Sequence, residues 1–229
     1  MRSLKIILSV PISRIVLLLV LVPGCKKDNE PTIVQNINSI CPSSVVYAGK
    51  TYNTVLIGNQ CWFKENLDVG TMISGSDSMK NNGTIEKYCY NDDPASCAAY
   101  GGLYQWDEAM RYSTIEGSQG ICPNGWHIPT DAEFDTLSTA VGGDGNALKA
   151  IGQGTYEGAG TNTSGFSTLL AGYRNNNDVF DLIGYSFMWS STQSDTAYAD
   201  YMSVTDYDSR IIFYNNYKGL GFSVRCLKN

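Results

Sequence analysis

Hydrophobic and polar positions change over in short runs along most of the chain, and turn-forming residues separate the runs. Val45-Val46-Tyr47 is apolar, Ala48-Gly49-Lys50 is turn-like, and Tyr52, Thr54 and Leu56 then alternate with Asn53, Val55 and Ile57. This pattern predicts a hairpin over 45–57. Gly58-Asn59 marks the next turn, and Gln60-Cys61-Trp62-Phe63 begins another strand. Residues 70–85 and 154–165 are rich in small and polar residues and predict surface loops. The period lengthens to that of a helix in two places. Leu103, Trp106, Ala109 and Met110 fall near one face of a short helix within 103–112. Phe134, Leu137 and Val141 recur at i, i+3 and i+7, giving a buried stripe. Thr130 and Glu133 precede that stripe with the spacing of a capping box, and Gly142-Gly143 ends it. Asn146 to Ile151 adds one further helical turn. The C-terminal third predicts short strands at 187–190, 197–204, 209–214 and 221–226, with residues 215–219 as the hairpin loop between the final two. In the last strand Phe222, Val224 and Cys226 share one face, while Ser223 and Arg225 share the other.

The start of the chain follows a different rule. Residues 6–22 are apolar except for Ser9, Ser13 and Arg14, Pro11 interrupts the run, and the clean stretch Ile15–Val22 is too short to cross about 30 Å of hydrocarbon. A cleaved export signal over 1–24 is therefore expected. Leu21-Val22-Pro23-Gly24-Cys25 resembles the lipobox of bacterial lipoproteins, which implies a lipid-anchored Cys25 as the first mature residue; Pro23 is unusual there. Residues 25–40 are expected to form a flexible tether. Within it, Lys26-Lys27-Asp28-Asn29-Glu30 is similar to signals that send lipoproteins to the outer face of the outer membrane, and equally fits a plain solvated linker. The expected location is thus a bacterial outer membrane, with the domain at 41–229 displayed on the surface.

Charge narrows the partners. The whole chain carries 16 Lys and Arg against 22 Asp and Glu; Arg2, Lys5 and Arg14 lie before Cys25, so the mature chain keeps 13 basic residues and a formal charge of −9. Affinity for nucleic acid rests on neutralising phosphates with Lys and Arg, so a polyanion-binding role is not expected. Of the seven cysteines, six remain once Cys25 is assigned to lipid. An even number in an exported chain predicts three disulfides, with fifteen pairings open to six cysteines. The set expected is Cys41–Cys61 and Cys89–Cys97, which close short loops, and Cys122–Cys226, which ties the last strand to the middle of the chain. A zinc site is disfavoured, since no CxxC pair exists and His127 is the sole histidine.

Several segments together carry a family resemblance. They are Ile57-Gly58-Asn59-Gln60-Cys61-Trp62 with Glu65-Asn66-Leu67; Tyr100-Gly101-Gly102-Leu103-Tyr104-Gln105-Trp106 with Ala109-Met110; Cys122-Pro123-Asn124-Gly125-Trp126-His127-Ile128-Pro129-Thr130 with Glu133; and Gly221-Phe222-Ser223-Val224-Arg225-Cys226. In this order they resemble the Fibrobacter succinogenes major paralogous domain. That family is grouped with C-type-lectin-like folds. The resemblance therefore implies an α+β domain, with short antiparallel sheets, two short helices, long irregular loops and disulfide staples. A bridge like Cys122–Cys226 is part of what it implies. It gives a fold more firmly than a function.

Three kinds of chemistry are weighed on the residues. The motifs by which C-type lectins hold calcium and sugar together are absent, and Trp189-Ser190-Ser191 offers only poor oxygen ligands. No cofactor is expected, though a structural calcium on loop acids such as Asp178, Asp181, Asp206 or Asp208 stays open. A carbohydrate or protein surface is better served by Tyr185, Trp189, Tyr198, Tyr201, Tyr207, Tyr214 and Tyr217, interleaved with Asn175 and Asn176, because Tyr supplies rigid contact area and Asn adaptable hydrogen bonds. Packing of at least half of these tyrosines on the sheet is the competing reading. Catalysis through His127 is disfavoured, and sequence picks out no carboxylate pair. The expected function is a non-catalytic binding or adhesion module whose ligand is a glycan or a cell-surface protein. A structural envelope or fimbria-associated component is the alternative, and a carboxylate-dependent glycan-active enzyme comes third.

Overall fold

A computed structural model describes residues 41–177, 179–181 and 183–229. The export signal, Cys25, the tether and Asp178 lie outside the described residues. The expected hairpin is present: β1 (Ser44–Tyr47) and β2 (Lys50–Ile57) pair antiparallel about Ala48-Gly49, and β2 turns at Gly58-Asn59 into β3 (Gln60–Phe63). Next come a short parallel pair, β4 (Thr71–Met72) with β5 (Glu86–Lys87), and two helices, α1 (Pro94–Tyr100) and α2 (Trp106–Ala109). β6 (Trp126–His127) leads into α3 (Asp131–Ala140), followed by α4 (Gly145–Leu148). A small pair, β7 (Tyr173–Arg174) and β8 (Phe180–Asp181), precedes the long strands β9 (Tyr185–Gln193), β10 (Tyr198–Thr205) and β11 (Ile212–Tyr217). β12 (Leu227–Lys228) closes the order.

Two antiparallel sheets dominate. The first has the order β1-β2-β3-β12-β6, so β12, late in the chain, is inserted between β3 and β6; the second has the order β11-β10-β9. α3 forms as the capping-box spacing predicts, with the Thr130 hydroxyl accepting the Glu133 N–H and the Glu133 carboxylate accepting the Thr130 N–H. Its buried stripe of Phe134 and Leu137 packs with Trp62, Met188, Met202, Val204 and Leu227, which ties the helix to both sheets. A second cluster surrounds Phe222, with Trp189 4.2 Å and Phe187 4.9 Å away between ring centroids. Large aromatic side chains bury the most apolar area, and their N–H groups need partners once water is gone. Trp106 donates to the Ser190 carbonyl and Trp189 to the Tyr104 carbonyl, both at 2.8 Å.

All three expected disulfides are formed: Cys41–Cys61, Cys89–Cys97 and Cys122–Cys226. One expectation needs correction, and one element goes unforeseen. Residues 221–226 do not form the second arm of a hairpin with the preceding strand. They run through the core and make single bridges, Gly221 to Arg174, Phe222 to Tyr104 and Ser223 to Met188. The expected alternation holds there, because Phe222, Val224 and Cys226 join the aromatic cluster while Ser223 and Arg225 both face Asn66. Helix α1 goes unpredicted, yet Asp93-Pro94 is its start signal: the Asp93 carboxylate accepts the Ala95 N–H, and Pro94 opens the first turn.

Candidate functional site

The β10–β11 ribbon gathers the tyrosines expected to bind, and their positions follow from register. Tyr198 lies opposite Tyr217, Asp200 opposite Asn215 and Tyr201 opposite Tyr214. Residues directly opposite in an antiparallel pair share a face. Tyr198, Asp200, Asn215 and Tyr217 therefore stand together, with Tyr198 and Tyr217 meeting edge to face at 6.4 Å. Tyr198, Tyr214 and Tyr217 are exposed, Tyr214 at 69%. The ribbon is bordered by two shallow clefts. One, of about 370 Å³, is lined by Ser78, Gln105, Asp107, Thr196, Tyr217 and Gly219. The other, of about 170 Å³, lies against the start of α3 and is lined by Asp131, Asp200, Phe213, Tyr214 and Asn215.

The remaining expected residues separate from this ribbon. Trp189 is fully buried and Tyr201 is 8% exposed; both pack on Phe222, so neither offers a surface platform. The reason is that the sheet is covered on both faces, one by the Phe222 cluster and the other by α3 and its partners. Tyr185 stacks on Phe187 at 5.8 Å, and its hydroxyl meets that of the exposed Tyr207 at 3.4 Å, forming a second, smaller aromatic spot. Asn175 and Asn176 sit on the β7–β8 turn, where the Asn175 side-chain Oδ1 accepts the N–H groups of Asn177 and Val179 and so shapes its own loop.

Sequence reasoning missed the carboxylate pair Asp131 and Asp200. Burial, followed by the charges of Asp200, Asp135 and Glu116, raises the Asp131 carboxyl above its ordinary value. No sequence signal joins these residues, since only the fold brings the start of α3 to β10. His127 is tied into structure: its ring nitrogens face Glu133 Oε1 and Oε2 at 3.1 and 3.0 Å and Asn229 Oδ1 at 2.7 Å. Burial works against its protonation, but the hydrogen bonds to Glu133 and Asn229 outweigh it and raise the imidazole above its ordinary value. Burial likewise opposes ionisation of Glu133. The His127 hydrogen bond and those from Thr130 prevail and lower the carboxyl.

Of the loop acids raised for calcium, Asp208 is engaged elsewhere. Asp208 pairs with Arg210 at 2.6 Å, and the buried Lys149 ammonium donates to the Thr205 and Asp208 carbonyls at 2.6 and 2.8 Å. Among the described residues no three His, Cys, Asp or Glu side chains converge as a metal site would need.

A family model for the Fibrobacter succinogenes major domain matches residues 55–228, taking in everything from the end of β2 to β12, including α3 and all the motifs quoted above. The chain belongs to the Fibrobacter succinogenes major domain family. No curated protein and no solved structure matches it at a significant level. Within this family domain, the motif residues are largely architectural. Trp62, Trp106 and Phe222 are fully buried, and Gly101 takes φ +88° where an added Cβ would stand 2.7 Å from that of Asn66. Among the described residues no helix is long and apolar enough to cross a membrane.

Proposed function

We propose that this chain is a lipid-anchored, surface-displayed binding module of C-type-lectin-like architecture, without catalysis of its own, whose ligand is a glycan or a cell-surface protein. The observation that carries the reading is the β10–β11 ribbon, with exposed Tyr198 and Tyr217 beside Asn215 on one face, exposed Tyr214 on the other, and a cleft on either side. Exposed tyrosines offer an apolar face and a polar tip, and adjacent amides add hydrogen bonds, a combination that suits sugar rings and loop backbones alike. Lipidation at Cys25, inferred from Leu21 to Cys25, supports display at an envelope. A glycan array and a cell-surface pull-down, run with the full lipidated chain in detergent, test the reading. Selective capture lost in a Tyr198→Ala/Tyr214→Ala/Tyr217→Ala variant that melts within a few degrees of the wild type is the expected result. Capture that survives the triple substitution would sink the assignment to this ribbon.

One observation favours a second reading. Asp131 and Asp200 line a single cleft beside Tyr214, and the raised carboxyl of Asp131 is the property a general acid requires. Paired carboxylates of this kind can cleave glycosidic bonds. Release of reducing ends from a bound polysaccharide, abolished by Asp131→Asn, would establish that reading. Its absence with any bound polysaccharide leaves the cleft as part of a binding surface.

A further inference from the structure

A third cavity, of about 340 Å³, shares no residue with the ribbon or its clefts. It opens between β3 and its following turn, the C-terminal end of α1, and the segment 150–169. Its walls are mainly apolar, with Ala98, Ala99 and Leu169 contributing, and its volume lies within the range of small-molecule pockets, which begins near 300 Å³.

The polar groups in that cavity are arranged unlike those of an ordinary packing gap. Arg225 lines it while being 1% exposed. Its Nε and Nη2 both donate to Asn66 Oδ1, at 3.2 and 2.9 Å, and Nη1 donates to the Phe166 carbonyl at 2.6 Å. The guanidinium also stands over the Phe166 ring, 4.3 Å from its centroid. Every one of these partners is uncharged. A guanidinium has five N–H donors, so two remain unused among the described residues. The acid that lines the cavity, Glu65, hydrogen-bonds elsewhere: its oxygens accept the Asn53 backbone N–H and side-chain amide, each at 2.8 Å, and it reaches Arg225 only through its charge. A buried cation without an anionic partner is costly, because water has been removed and no opposite charge replaces it. Burial accordingly pulls the Arg225 guanidinium down to about 9, an effect that the charge of Glu65 offsets only in part. At the rim, Lys64 makes no ion pair among the described residues, while Lys50 faces Asp68 at 3.6 Å. Lys50, Lys64 and Arg225 outnumber Glu65, so the cavity lining is net positive in a chain whose net charge is −6.

We propose that this cavity binds a small carboxylated sugar, a uronic acid unit, with its carboxylate on the free Arg225 donors. Planar, bidentate recognition is what a guanidinium offers a carboxylate. Lys64 adds a second positive charge at the entrance. Ser167 and Tyr100 supply polar contacts for ring hydroxyls, and the alanine and leucine wall suits the ring's C–H face. The site is independent of the tyrosine ribbon, so either can fail while the other stands.

Calorimetric titration of the full lipidated chain in detergent with D-glucuronate tests the proposal, with D-glucose and acetate as controls. Saturable binding of glucuronate is expected, with glucose and acetate each at least about tenfold weaker, since one lacks the charge and the other the ring contacts. Lys64→Ala should weaken glucuronate about tenfold. Ala99→Phe, at an exposed wall position, should fill the cavity and abolish binding with Arg225 untouched. Both variants keep the wild-type melting transition if the effect is local. No glucuronate binding by the wild type, glucose or acetate binding as tightly, or binding unchanged in both variants would each overturn the assignment.

Discussion

Removing the Cys122–Cys226 bridge offers the sharpest test of how this domain is held together. The three bridges enclose very different lengths of chain, with sequence separations of 8, 20 and 104 residues. In the chain-entropy description, a disulfide stabilises by restricting the unfolded state, and the effect grows with the logarithm of loop length. That gives about 2.5 kcal/mol for Cys89–Cys97, about 3.3 for Cys41–Cys61 and about 4.7 for Cys122–Cys226. Cys89, Cys97, Cys122 and Cys226 are all buried at 3% exposure or less, so the cavities left by paired alanines are similar and the loop term decides the order. A loss of about 4.7 kcal/mol is a large part of the roughly 5–15 kcal/mol that stabilises a typical domain. It corresponds to a melting temperature lower by roughly 10–20 °C for a domain of this size. Urea unfolding of the oxidised Cys122→Ala/Cys226→Ala and Cys89→Ala/Cys97→Ala variants measures the difference. The slope of the first should also steepen, because an uncrosslinked unfolded chain exposes more surface. If the Cys89–Cys97 deletion proved as damaging as the Cys122–Cys226 deletion, the loop-length argument would be wrong and local packing would govern both.

Two further tests follow. His127 is raised in the folded state, so its contribution is complete below the ordinary imidazole value of about 6.5 and is lost as pH rises through the raised one. Glu133 is lowered, so its contribution is complete above the ordinary carboxylate value and is lost as pH falls through the lowered one; urea midpoints should peak between about pH 4.5 and 6.5. His127→Asn should flatten the high-pH side, and an unaltered profile in that variant would remove the His127–Glu133 pair as the cause. Lys149→Met strands the Thr205 and Asp208 carbonyls and should cost about 1–3 kcal/mol. Amide exchange across 205–210 should quicken; a variant as stable and as protected as the wild type would show that the ammonium does not organise this loop.

Local chemistry made parts of this fold legible from residues alone. The β1–β2 hairpin declares itself through alternation about Ala48-Gly49, and α3 through Thr130, Glu133 and the Phe134–Leu137 stripe, because each is set by neighbours within a few positions. The three disulfides were legible as a set once Cys25 was put aside. The placement of 221–226 was not: its alternation told which residues share a face, but its partners Tyr104, Arg174 and Met188 lie far away in sequence. Trp189 and Tyr201 misled for a related reason. A tyrosine- and serine-rich strand resembles a half-exposed one, and only the covering of both sheet faces shows that these rings are core. Asp131 with Asp200, and Arg225 with Lys64 and Ala99, are joined by the fold alone, and no spacing rule could have found them.

The insertion of β12 between β3 and β6 sets an order of events in time. The hairpin and third strand are made early, yet their sheet cannot be completed until residues 226–228 arrive to bridge the gap. Phe222, at the heart of the aromatic cluster, arrives equally late. A chain emerging from its N-terminus can therefore form local turns and α3 but cannot settle into its final state, since contacts of high sequence separation must wait for their loops to close. Trimming a handful of residues from 222 onward would remove the keystone of both halves, leaving an otherwise full-length polypeptide without a folded state.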